Sequence, residues 1–350
     1  MKKMKSLLLG VAFAAATIGV GSPVADACSR VLYVGNDNLR IVGRSLDWKT
    51  PIPTNLYVYP RGIAKEGNTL AGSVKWTSRY GAVYAVGYDG GVTEGMNEKG
   101  LVVNGLFCKG TVYVNDSTTG RPAMSLAMFV AWLLDMNATT DEVVKVLQEH
   151  NFNISGATFD GGTVSALHWI VTDASGATCV FEFDHGKINI YQGQDIPILT
   201  NDPAFPQINA INDYWVKVGG ENMLPGGVKS PDRFVRGSYF TGHVAKTSDS
   251  DLGVSITRSI VANVSVPYQY TVDGGEPNES STQWRSFANI RDHRYYFDIV
   301  TNLGLYYIDL NTINLKPGAP ILKLDTSKSQ QYVGNVNDKL VVSPGFSPMY

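Results

Sequence analysis

A cysteine that becomes the first residue of a mature chain carries a thiol and a free amine together, and Ala25-Asp26-Ala27-Cys28-Ser29-Arg30 reads as a cut site that would create one. An α-amino group titrates at about 7.7–8.0 and can accept a proton near neutrality, while a thiol at about 8.5 is intrinsically nucleophilic. Nucleophile and base would then be one residue. The rival readings are a buried structural cysteine and a lipid attachment point. Lipidation calls for a large aliphatic residue three positions earlier, where this chain has Ala25, followed by acidic Asp26.

Downstream, Gly43-Arg44-Ser45-Leu46-Asp47-Trp48 adds two charged groups. A guanidinium near a thiol favours its anion, and a carboxylate can orient an α-amine. A surface Arg–Asp pair would be worth little.

Other chemistries lack their residues. There is no Gly-x-Ser-x-Gly elbow, phosphate loop, paired Cys-x-x-Cys or His-Glu-x-x-His. The five histidines are scattered: His150 is expected to end a helix, His168 and His185 to flank strands, and His243 and His293 to lie in polar surroundings. A metal site normally needs a ligand cluster, so no metal and no cofactor is expected.

The elements that must position Cys28 begin with a hairpin. Residues 29–34 and 39–45 are rich in β-branched and aromatic types, with Gly35-Asn36-Asp37-Asn38 between them. Pairing of Val34 with Leu39 would set Cys28 opposite Ser45, and a three-residue loop would set it opposite Arg44. Further strands are expected at 56–59, 73–77, 82–88 and 101–107, then two helices. The first spans Pro122 to Asp135, and the second starts at a Thr139/Glu142 capping box. Strands return at 166–172, 178–183, 187–191 and 196–200, where Asn201-Asp202-Pro203 stops the last one. Leu252, Ile256, Ile260 and Val264 recur at helical spacing over 251–266, strands follow, and the polar tail from about 324 is expected to lie over the surface. This succession implies a layered α+β protein.

Residues 1–27 have the parts of a signal peptide: Lys2, Lys3 and Lys5, an apolar run from Leu7 to Val20, and small Ala25 and Ala27. Export to a periplasmic or secreted location is expected, with 28–350 as a single domain and no stable membrane insertion. Cleavage removes three lysines and one aspartate, taking the net charge from −2 to −4 (−2 − 3 + 1), and nothing in that balance favours nucleic acid. Three cysteines are too few for a disulfide scaffold, and if Cys28 stays a thiol only Cys108 and Cys179 could pair.

Taken in order, Cys28, Gly43-Arg44-x-Leu-Asp47-Trp48, Asn97-Glu98-Lys99-Gly100-Leu101, Leu199-Thr200-Asn201 and Asp232-Arg233-Phe234-Val235-Arg236 resemble the choloylglycine hydrolase family of penicillin V acylases and conjugated bile acid hydrolases. Asn212-Asp213-Tyr214-Trp215 and Met223-Leu224-Pro225-Gly226 resemble its penicillin V acylase-like branch from Gram-negative bacteria. The resemblance implies an N-terminal nucleophile hydrolase with a four-layer αββα sandwich, usually a homotetramer, cleaving a small-molecule linear amide through an acyl-cysteine intermediate. It assigns Cys28 as nucleophile, Arg44 as the cation beside it, Asp47 as the carboxylate holding the amine, Asn201 as the oxyanion-hole amide and Arg233 as a second active-site arginine. Phe107 stands where relatives carry Asn or Tyr, its backbone N–H completing the oxyanion hole. An aromatic there suits phenoxyacetyl or fatty acyl groups, which points to penicillin V or acyl-homoserine lactones before conjugated bile acids.

Overall fold

The computed structural model describes residues 28–67, 72–113, 120–149, 152–156, 158–159, 163–185, 187–194, 196–219, 222–271 and 280–349. The expected signal segment 1–27 and His150 lie outside them.

Strands β1 (Ser29–Val34) and β2 (Arg40–Trp48) form the expected hairpin. Its register is one position from the Val34–Leu39 pairing and two from the three-residue-loop alternative. Ser29 faces Ser45 and Val34 faces Arg40, so Cys28 leads the ladder toward Leu46. The loop is longer because Asp37 and Asn38 both take positive φ and the Gly35 N–H donates to Leu39 O at 2.8 Å, which removes Leu39 from the strand. Short polar side chains tolerate that left-handed backbone.

The hairpin lies in a seven-stranded sheet ordered Ile198–Leu199, β1, β2, Ser281–Asn289, Arg294–Ile299, Tyr306–Asp309, Gly334–Asn335. A nine-stranded sheet runs Lys187–Gln194, Ala177–Asp184, Leu167–Thr172, Val102–Phe107, Gly91–Asn97, Ala82–Gly87, Thr54–Tyr59, Leu322–Leu324, Val341–Val342. One apolar cluster joins residues of both, including Val31 and Phe287 from the first and Val83 and Ile170 from the second.

Helix α1 (Leu126–Met136) is buried along nearly its whole length and packs on the nine-stranded sheet, which explains an apolar pattern on every side. Helix α2 (Thr140–Glu149) follows the expected capping pattern, with Glu142 N donating to Thr139 Oγ1, although Glu142 Oε2 accepts from Ala138 rather than from Thr139. Helices α4 (Ser230–His243) and α5 (Ser250–Val264) pack on β1 and β2, and α3 (Phe205–Val218) packs on α4. Helix α5 answers to the helical spacing over 251–266, whereas α3 and α4 went unrecognised in the sequence. Both start from caps without a side-chain hydrogen bond, and each mixes apolar and polar residues because it is only partly covered. The chain is thus α+β.

The tail lies over the surface as expected, yet it is tied into the fold by backbone pairing. Val341–Val342 pairs with Leu322–Leu324 at the edge of the nine-stranded sheet, and the chain then runs on to the turn at Gly90. Backbone pairing, which polarity does not report, carries it there.

Candidate active site

Cys28 sits just before β1 with only 4% of its surface exposed. Its nitrogen donates to Asn201 Oδ1 at 2.5 Å, and Asn201 Nδ2 donates to the Phe107 carbonyl at 2.7 Å. Arg233 Nη2 donates to the same Oδ1 at 2.9 Å, while its Nη1 reaches the Cys28 carbonyl at 2.5 Å and Ser29 Oγ at 2.6 Å. Two donors converge on Oδ1 and an acceptor faces Nδ2, so the amide has one sensible orientation. Arg233 therefore grips the backbone of Cys28 and the side chain of Asn201. What the structure sets against Asn201 is the Phe107 carbonyl.

Arg44 approaches from β2. Its Nη2 lies 3.7 Å from Cys28 Sγ and donates to Gly105 O at 3.1 Å, and its guanidinium lies 4.7 Å from the centre of the Trp284 ring. Nη1 is 3.1 Å from Glu94 Oε2, an ion-pair approach out of line for a hydrogen bond. Asp47, from the same strand, is fully buried; Ser45 Oγ donates to its Oδ2 at 3.3 Å and its backbone carbonyl faces Sγ at 3.8 Å. No hydrogen-bond partner meets Asp47 Oδ1 among the described residues.

Electrostatics follow from this dryness. Burial pushes the Cys28 thiol above its ordinary value; Arg44 pulls it down and Asp47 adds to the rise, leaving a net upward shift. The guanidinium thus offsets burial without overcoming it, short of the expected net preference for the anion. Burial lifts the Asp47 carboxyl to about 6 against the pull of Arg233 and Arg44. A buried carboxylate oxygen without a hydrogen-bond partner, on the residue whose backbone carbonyl faces Cys28 Sγ, is a place suited to a positive group.

Two residues that hold this arrangement escaped the sequence reading. Glu94 is the one acid in Gly91–Asn97; it is fully buried, and beside its ion pair with Arg44 it accepts from Asn104 Nδ2 at 3.1 Å, Tyr295 Oη at 2.5 Å and Ser286 Oγ. A lone acid inside an otherwise buried strand was the available signal. His168, also fully buried, places Nδ1 2.9 Å from Glu182 Oε1 and Nε2 2.7 Å from the carbonyl of Thr200, the residue before Asn201. Both partners are acceptors, so both ring nitrogens donate and the ring is an imidazolium. Burial opposes that charge, but Cys108 and Glu182 outweigh it and hold the pKa at about 10. Cys108, His168 and Glu182 cluster closely enough to suggest a metal site, yet in this arrangement the ring offers no lone pair. Cys108 and Cys179 are not bridged.

Asp202 fastens the two strand ends, accepting from Lys109 N at 2.9 Å and Gly110 N at 3.3 Å. The cleft over Cys28 has about 120 Å³ of room for water-sized spheres, against the roughly 10–15 Å³ one water needs. It is lined by Arg44, Asp47, Trp48, Tyr88, Phe107 and Met349 among others. Phe107 packs on Trp48 with ring centres 5.5 Å apart.

The chain matches the model of the linear amide C–N hydrolases, choloylglycine hydrolase family, over residues 28–332. It is 33% identical to the penicillin V acylase of Pectobacterium atrosepticum over 354 aligned residues, covering 95% of this chain and 93% of that protein. With the bile salt hydrolase/transferase of Clostridium perfringens it shares 24% over 314 residues, covering 82% and 94%. Its structure superposes on the penicillin V acylase from Agrobacterium tumefaciens with a TM-score of 0.84 at 36% identity, covering 92% of this chain and 99% of that one. A variant of the conjugated bile acid hydrolase from Clostridium perfringens shares the fold, with a TM-score of 0.70 at 22% identity.

Proposed function

Because this chain belongs to the choloylglycine hydrolase family of linear amide C–N hydrolases, we propose that Cys28 is its nucleophile once residues 1–27 are removed, and that the mature chain 28–350 cleaves penicillin V-type or N-acyl-homoserine lactone amides. One observation carries the reading: the nitrogen of Cys28 is held by Asn201 while its sulfur faces Arg44 inside an apolar cleft.

In the mature chain that nitrogen is an amine. Its neutral form takes the thiol proton as sulfur attacks the amide carbon, and Asn201 Oδ1, accepting an N–H, turns the lone pair toward sulfur. The C–S bond forms and the carbonyl oxygen becomes an oxyanion, to which Asn201 Nδ2 can offer its second hydrogen and Phe107 its N–H. The α-ammonium returns the proton to the leaving nitrogen, the C–N bond breaks, and water repeats the sequence on the thioester to release the acid. Asp47 Oδ1 is the acceptor the ammonium would meet.

While residues 1–27 remain attached, the nitrogen is an amide and cannot act as base, so export to the periplasm or beyond and activation would be one cut. The contacts of two sheets and their flanking helices support a four-layer αββα arrangement, and the family resemblance supports a homotetramer. The penicillin V acylase relatives, and Phe107 beside Trp48, favour phenoxyacetyl and fatty acyl groups over conjugated bile acids. Lipidation would require the buried thiol to leave its cleft.

Mass spectrometry should find a mature N-terminus at unmodified Cys28; a diacylglyceryl mass there would overturn the reading. That form should hydrolyse penicillin V or acyl-homoserine lactones and lose the activity in Cys28→Ala, with conjugated bile acids as the third arm of the panel. An active uncleaved precursor would refute the coupling of export to activation.

A further inference from the structure

We infer that Met349, delivered by the C-terminal tail, is a wall of the acyl cleft and sets which acyl chain lengths fit; this rests on the reading of that cleft as the acyl site. The tail is tied down beside it. Ser347 N donates to Asp89 O at 3.2 Å, Met349 N donates to Gly90 O at 2.8 Å, and Ser125 Oγ donates to Met349 O at 3.2 Å. Phe346 anchors the approach, its ring edge-on to Tyr57 and Tyr59 at 5.8 and 5.9 Å between centres. These contacts put the Met349 side chain among the residues lining the cleft that holds Cys28.

The Met349 side chain lies across Gly90, where a Cβ would come within 2.5 Å of its Cγ and 3.0 Å of its Sδ. Gly91 continues the same floor, with Met349 Cε 3.8 Å from where its Cβ would be. Two glycines therefore make the bed for one thioether. A methionine there is a flexible apolar plug whose three rotatable bonds fit it to irregular space. Met349 comes from the C-terminal tail, held at Gly90 and Ser125, apart from the strand and helix that carry Arg44, Asp47 and Arg233. Phe107 and Trp48 give the cleft an aromatic side; Met349 adds an adjustable one.

The test measures calorimetric affinities of butanoate, octanoate and dodecanoate, the acid products of straight-chain acyl groups, for the mature chain and for Met349→Ala and Met349→Trp. Met349→Ala should tighten dodecanoate and octanoate by about fourfold for each methylene newly buried, with butanoate within about twofold. Met349→Trp should weaken the longest acid most. A length profile unchanged in both variants, or shifted equally at all lengths, would overturn the proposal. Acid binding needs no turnover, so the proposal can fail while Cys28-dependent hydrolysis persists, and it can hold if hydrolysis is absent.

Discussion

The nitrogen of Cys28 lies 2.5 Å from Oδ1 of Asn201, a residue 173 positions away, while Nδ2 of the same amide is bound to the Phe107 carbonyl. On the proposed mechanism Asn201 would orient the amine as well as face the place of the oxyanion. Asn201→Ala should lower turnover by at least the roughly 10²–10³ of a lone oxyanion donor. Asn201→Asp separates the roles. A carboxylate beside the amine raises its pKa, so the acidic limb of kcat/KM against pH should move to higher pH. A limb that stays put while kcat falls would reduce Asn201 to the oxyanion role.

Arg44 faces the thiol on one side and Glu94 on the other, with Glu94 fully buried. Removing one partner of a buried pair leaves an uncompensated charge, at a cost of about 3–5 kcal/mol. Glu94→Gln should therefore lower the urea midpoint and kcat/KM together. Adding Arg44→Met to it should recover stability but no activity. Additive stability losses in the double variant would show that the two side chains are not coupled.

Asp47 gives a pH signature with a definite sign. Its carboxyl titrates at about 6 in the folded chain against an ordinary 3.8, so the folded state binds the proton more tightly. Stability from this group is full below pH 4 and falls as pH rises toward 6, by about 3 kcal/mol at 1.36 kcal/mol per unit. Asp47→Asn should thus be as stable as the parent precursor at pH 4 and more stable above pH 6, while its mature form loses activity. Melting temperatures of the two precursors between pH 4 and 7 check this; parallel curves would reject it.

The His168 imidazolium clamps the Thr200 carbonyl from inside the core. Its pKa of about 10 lies above the ordinary 6.5, so the stability it contributes is full below pH 6.5 and is lost as pH climbs through 10. The stability lead of wild type over His168→Gln should shrink across that window. Because Thr200 carries Asn201, turnover of the variant should also fall. A lead independent of pH would mean a neutral ring.

Local chemistry was legible in the order of residues. Cys28 with Arg44 and Asp47 nineteen positions on or fewer belongs to one hairpin, and short-range pairing depends on nearby turn and β-branched residues. Its register was not legible, because two residues at positive φ lengthened the loop by backbone geometry that Asp37-Asn38 permits without dictating. Asn201 could be set at a strand end by Asp202-Pro203, but not beside Cys28.

Tertiary structure alone decided the rest. Glu94 reaches Arg44 and His168 reaches Thr200 only because strands from distant parts of the chain lie side by side, and a charge in a strand does not announce its partner. Burial turned a guanidinium-flanked thiol into one shifted upward, since desolvation depends on everything packed around it. The tail read as polar surface because polarity is a local property, whereas Met349 reached the cleft through backbone bonds to a turn some 260 residues earlier. Sequence determined which groups could react; the packing of two sheets decided which of them meet.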